Sequence, residues 1–104
     1  MIIVTTETIP GKKIKELCGF CKGSTVHSKH FGKDLAAGFK TFVGGEIKGY
    51  TEMMTEARQV AVGRMVEDAQ SMGANAIIGM RLASSAIMQG ASEMIAYGTA
   101  VKID

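Results

Sequence analysis

Between Tyr50 and Met72, the residues Tyr50, Met54, Ala57, Ala61, Met65, Ala69 and Met72 recur at steps of three and four, so in a helix they share one face. This predicts about six turns of amphipathic helix, and the rest of a 104-residue chain must pack around it. A second set, Met53, Val60, Val62 and Val66, widens the apolar surface beyond what one sheet contact covers. Glu52, Glu56, Arg58, Arg64, Glu67 and Asp68 keep the remainder wet, so the helix is expected to meet more than one surface. Gly44-Gly45 break the chain before it, Thr51 offers a local cap, and Glu52 and Glu56 suit the positive end of the dipole. Gly73 fits the left-handed position that ends a helix.

The flanking segments alternate as strands do. Ile2 to Thr5 is a short β-branched strand, Thr6 to Gly11 a turn, and Lys13 to Lys22 a second strand that Ser24 to Ser28 continue after a bend at Gly23. In that strand Ile14, Cys18 and Phe20 fall on one side and Leu17, Gly19 and Cys21 on the other. Asp34 to Val43 predicts a short helix through Leu35, Phe39 and Phe42, with Phe31 four residues before the first of them. After the long helix, Asn75 to Met88 and Glu93 to Ile103 form a β-hairpin across Gln89-Gly90. Outgoing, Ile78, Met80 and Leu82 oppose Ile77, Gly79 and Arg81. The return strand sorts Ile95, Tyr97, Thr99, Val101 and Ile103 from Met94, Ala96, Gly98 and Ala100, and the small face suits a helix lying close. The expected fold class is α+β: an antiparallel sheet with a C-terminal hairpin, packed on one long helix and one short one.

With 46% hydrophobic and 21% charged residues, the chain is expected to form a single domain, 1–104, around one core. That core lacks Trp and has only four Phe and two Tyr, so association would help it. No run approaches the roughly 18 apolar residues of a membrane span, and the start lacks an export signal, so the expected compartment is the cytoplasm. Two cysteines in such a chain act as thiols rather than as a disulfide scaffold. Residues 11–40 hold seven Lys against Glu16 and Asp34, a local +5 within a net +2. No Arg or aromatic is interleaved with these lysines in a stacking pattern, which argues against nucleic acid as the partner.

The one chemically suggestive constellation is Cys18-x-x-Cys21 followed by His27-x-x-His30, four soft and borderline ligands that suit zinc or a softer heavy-metal ion. Its gaps of five and two residues are shorter than those of structural zinc motifs. In a regular strand, residues three apart point to opposite faces, so Cys18 and Cys21 can share an ion only if a bulge at Gly19 turns one of them. The alternative is that both cysteines are small strand hydrophobes and that His27 and His30 sit near a helix start. The internal methionines already have places in the helix stripe and strands. Gly44-Gly45 with Gly49 lacks the ending of a phosphate loop. Ser84-Ser85 have no His-containing partner and no carboxylates pair as acid and base, so no catalytic set emerges.

The chain also resembles the YbjQ-like proteins of bacteria and archaea, a group carrying a heavy-metal-binding description. The marks are Thr5-Thr6 before Gly11-Lys12, Glu16 with Gly19 and Gly23, Val43-Gly44-Gly45, Tyr50 ahead of Ala57-Arg58, Gly73-Ala74 with Ala76 and Gly79, and Gly98-Thr99-Ala100-Val101. They fall in register along the whole chain. The resemblance implies an α+β subunit, dodecin-like in outline, that assembles as a ring, a pentamer by preference, and a ring could pool ligands where subunits meet. This chain departs from the pattern at Glu46, where the family carries Arg, and at Arg81, Ala83, Ser84 and Ser85, where it carries an acidic, tyrosine-bearing segment. Two functional classes follow: a non-enzymatic ring-forming module that binds a metal or small ligand, or an interaction module, nucleic-acid-associated, that uses the lysines of residues 11–40.

Overall fold

A helix, α1 (Lys48–Ser71), forms where the apolar steps predict one. The fold, taken from a computed structural model, is described over residues 1–28 and 48–104. Ala57, Ala61, Met65 and Ala69 are buried, with Met54, Val62 and Val66 packed beside them. Met72, the last of the set, is 37% exposed because the helix has already stopped. Gly73 takes φ +83, its N–H donates to Gln70 O at 3.0 Å, and Ala74 N–H donates to Ala69 O at 3.1 Å, the paired bonds of a Schellman stop. The other end corrects the expected cap. Lys48, Gly49 and Tyr50 are already helical, so Thr51 lies inside α1 and does not cap it.

Four strands, β1 (Ile2–Ile3), β2 (Ile14–Ser28), β3 (Ala76–Met88) and β4 (Ala91–Ile103), form one sheet in the order β1-β3-β4-β2. β3 and β4 are the expected hairpin, and β2 pairs antiparallel along the other side of β4. β1 runs parallel to β3, which makes the sheet mixed. Val4 N–H donates to Ile77 O at 2.9 Å and Gly79 N–H to Thr6 O at 2.9 Å, which extends this contact past the strand.

β2 differs from the expected pair of segments in two ways. It is continuous through Gly23, which marks where α1 lies on the sheet: a Cβ there would strike the backbone at Ala61, Arg64 and Met65. Its pairing with β4 also slips between Ile14 and Glu16 and between Leu17 and Gly19, each time placing one extra residue, Lys15 or Cys18, opposite the partner. Strict alternation is therefore broken. Ile14, Leu17 and Phe20 share the face turned away from α1, three residues apart instead of two, since they pair with Ile103, Val101 and Thr99 of β4's large-residue face. β3 slips at Gly79 (φ +60) and again between Ala86 and Met88; the first slip brings Ile78 and Arg81 to one face and Ile77 and Leu82 to the other, against the expected sorting.

β4 sorts as its sequence predicts. Met94, Ala96 and Ala100 join Cys21 and Ile77 in the core beneath α1. On the other side, Ala76, Val101 and Ile103 form a smaller cluster with Ile9, Val4 and Ile78, so the N-terminal turn covers one end of that face. Among the described residues, nothing covers the remainder of that face. The expected short helix at Asp34 to Val43, with Phe31, Leu35, Phe39 and Phe42, and the break at Gly44-Gly45 lie outside the described residues. No described helix is long and apolar enough to cross a membrane.

Candidate functional site

The bulge that a shared thiol site requires is present. Gly19 takes φ +131 and Cys18 is the extra residue of the second slip. Cys18 thereby packs, half-buried, against the same core cluster as Cys21, on the α1 side of the sheet. Both thiols are free, and strand rise puts their Cα atoms roughly 9 Å apart, beyond the separation a disulfide spans. Cys21 is fully buried, and its Sγ donates to Gly98 O at 3.5 Å. Burial pushes the Cys21 thiol upward in pKa, and the nearby Asp68 carboxylate pushes the same way. A ligand at Cys21 must therefore displace a firmly held proton, whereas Cys18 is nearer the surface.

Asp68 and Arg64 of α1 fasten the strand here. Lys22 N–H donates to Asp68 Oδ2 at 2.9 Å and an Arg64 guanidinium N–H donates to Ser24 O at 2.6 Å. The two bonds flank Gly23 and satisfy backbone groups on the free edge of β2. Further along, His27 lies on the same side of the sheet as Cys21, but six uninterrupted strand residues away, or about 20 Å. Its Nδ1 is buried without a hydrogen-bond partner among the described residues. His30, the fourth expected ligand, lies outside the described residues. One subunit thus brings Cys18 and Cys21 to one side and holds His27 apart from them. Among the described residues no three His, Cys, Asp or Glu side chains gather as a metal cluster.

A second feature, which strict alternation hides, occupies the open face. Leu17, Phe20 and Val26 are 70%, 60% and 58% exposed. The Phe20 ring lies 6.4 Å from that of Tyr97, tilted by 48°. Lys22 and Arg81 are the cross-strand neighbours of Tyr97 on either side, and Arg81 also donates to Thr5 O at 2.8 Å. The signal was legible only as apolar residues at Leu17 and Phe20, three apart, next to a glycine that permits a bulge. Among the lysines read as a basic segment, Lys15 pairs with Asp104 at 3.5 Å, while Lys29, Lys33 and Lys40 lie outside the described residues.

Comparison with known proteins adds the following. A family model described as "Putative heavy-metal-binding" matches residues 1–104. A UPF0145 protein of Clostridium perfringens is 66% identical over 101 residues, covering 97% of this chain and 95% of its own length. Another UPF0145 protein, from Thermosipho melanesiensis, is 62% identical over 103 residues, covering 99% of this chain and 95% of its own. A crystal structure from Pediococcus pentosaceus, a protein of unknown function in the DUF74 family, superposes with a TM-score of 0.53 at 19% identity and covers 100% of this chain and 98% of that one. That likeness speaks for the fold, the α+β sheet and helix described above.

Proposed function

The chain belongs to the family described as "Putative heavy-metal-binding", and from that premise we propose that it is a non-enzymatic module that assembles with copies of itself into a ring and takes up a soft metal ion through its thiols. The observation that carries this is the bulge at Cys18-Gly19, which turns two thiols three residues apart toward one side of the sheet. A strand without it would point them to opposite faces. Zinc or a softer ion suits two sulfur ligands. Within one subunit His27 stands about 20 Å from Cys21, so His27 and His30 enter the site from a neighbouring subunit that meets it at Cys18, the thiol nearer the surface. A pentamer is the ring size that the resemblance implies, and the reducing cytoplasm is the compartment that keeps both thiols available.

Titration calorimetry of fully reduced, untagged protein with zinc and with cadmium tests the metal reading. The expected result is no more than one equivalent per subunit, proton release on binding, affinity that rises with pH as Cys21 gives up its proton, and loss of the signal in Cys18→Ser. No binding by the reduced protein, or unchanged binding in a Cys18→Ser/Cys21→Ser double variant, overturns it.

A further inference from the structure

The thiol side of the sheet holds a further sulfur. A Cβ built on Gly19 would stand 4.0 Å from the Met72 thioether Sδ, and Gly19 is the chain neighbour of Cys18. Cys18, the extra residue of the bulge, and Cys21 both face α1, so two thiols and a thioether gather where the end of α1 crosses the first half of β2. Having no side chain, Gly19 leaves the ground between Cys18 and Met72 clear.

The way α1 lies on β2 explains the meeting. Gly23 sits beneath Ala61, Arg64 and Met65, and Lys22 N–H reaches Asp68, so the helix advances toward the start of the strand and Met72, just past its last turn, arrives above Gly19. Gly73 stops the helix at that point and leaves Met72 partly in water. The other methionines on this side have no such freedom: Met65 and Met94 are buried, and Met54 and Met80 pack against the core. Filling space explains those side chains, whereas Met72 is a polarizable sulfur at the surface beside a half-buried thiol.

Electrostatics at this spot favour a cation. The negative end of the α1 dipole lies at Met72, and Asp68 stands about one turn back along the helix. Lys102, whose Nζ is 3.7 Å from the Cβ position of Gly73, is neutralised by Glu16 at 3.5 Å. The donor type then selects among cations. A thioether carries no charge and suits soft ions, and thiolate with thioether is the set that favours copper(I). Zinc takes four tetrahedral ligands and so needs the neighbour's imidazoles, whereas copper(I) is satisfied by fewer.

We infer that Met72 Sδ is a ligand of the thiol site, beside Cys18 at the surface with Cys21 behind, and that the ion this sulfur set selects is copper(I). This rests on the thiol reading above and deepens it by naming a ligand and the ion. Cys21 Sγ is held to Gly98 O only by a 3.5 Å hydrogen bond, which an incoming ion can replace.

The test titrates reduced, untagged protein under argon with copper(I), in competition with bicinchoninate, and separately with zinc by calorimetry, for wild type, Cys18→Ser and Met72→Leu. Leucine keeps the volume and loses the sulfur at a position 37% exposed, so the fold stays intact, which circular dichroism verifies. The expected result is copper(I) affinity lower by about tenfold or more in Met72→Leu with zinc affinity unchanged, and loss of both metals in Cys18→Ser. In wild type with isotope-labelled methionine methyl groups, the Met72 methyl resonance, identified by its disappearance in Met72→Leu, should shift on addition of copper(I) and stay in place with zinc. A Met72 methyl unmoved at saturating copper(I), equal copper(I) affinity in wild type and folded Met72→Leu, or a protein that binds zinc and refuses copper(I) overturns this inference alone and leaves the metal reading standing. A reduced protein that binds neither ion removes both.

Discussion

Replacing Gly23 by alanine tests the closest approach in the fold. A Cβ at Gly23 would stand 2.6 Å from Arg64 C, and closer still to Met65 N and Ala61 O, whereas ordinary contact begins near 3.4 Å. All three obstacles are backbone, so no rotamer can relieve the collision and α1 must withdraw by about 1 Å or more, which forfeits much of the dispersion contact along that part of the helix. Overpacking of this kind costs about 1–3 kcal/mol, and an unyielding neighbour puts it at the upper end. Withdrawal also stretches the Lys22–Asp68 and Arg64–Ser24 hydrogen bonds, 2.9 and 2.6 Å long, which are exposed and add less than about 1 kcal/mol each. Loss of glycine's freedom in the unfolded chain returns about 0.4–1 kcal/mol. The net expectation is a loss of about 3 kcal/mol, a drop in Tm of about 12 °C or more for a domain of this size. Gly98→Ala is the control. Its obstacles stand farther off, with Ile77 Cγ2 at 2.7 Å, Ile78 O at 3.1 Å and Met80 Cα at 3.3 Å, but Ile77 is fully buried and stiff at χ1, so the expected loss is smaller than at Gly23, about 1–2 kcal/mol. Urea and thermal unfolding at one fixed protein concentration measure both. A Gly23→Ala variant within about 0.5 kcal/mol of wild type, or one more stable than Gly98→Ala, refutes the placement of α1 on β2.

Ala61→Asp puts an unpaired charge at a fully buried position above Gly23, and a loss of about 3 kcal/mol or more is expected, read as a lower melting temperature and a reduced assembly mass. The Cys21 thiol is raised in the fold, so its contribution to stability is complete below the unfolded thiol pKa of about 8.5 and is lost as pH climbs through the folded value; unfolding measured from pH 7 to 10 should show that decline, and Cys21→Ala should flatten it. Asp68→Asn removes a nearby negative charge and should let Cys21 ionise at lower pH, followed by thiolate absorbance; an unshifted titration would mean that burial alone sets the thiol.

Periodicity revealed what depends on regular geometry. The α1 face, the Gly73 stop and the two faces of β4 follow from steps of three and four or of two, and each stands where those steps put it. Errors concentrate where glycine lets the backbone depart from the step. Gly19 and Gly79, both at positive φ, shift the register and regroup Cys18 with Cys21, Leu17 with Phe20 and Ile78 with Arg81. Gly23 looked like a bend because glycine serves both turns and close approaches, and only the position of α1 tells them apart. The candidate site was half legible: the ligand types could be named, but the distance between the thiols and His27 depends on β2 running unbroken to Ser28.

The two slips in β2 also bear on how this chain tolerates change in length. β2 has 15 residues and β4 has 13, and the surplus is held at Lys15 and Cys18. Deleting either one closes a bulge and lets its neighbours pair one for one, with Leu17 still opposite Val101 and Gly19 opposite Ala100. Deleting a residue such as Ser24 instead turns every side chain on one side of the cut to the wrong face. The strand thus holds its slack at two defined points, and natural length variation in β2 should collect there, with loss of Cys18 carrying a thiol away while the sheet keeps its register.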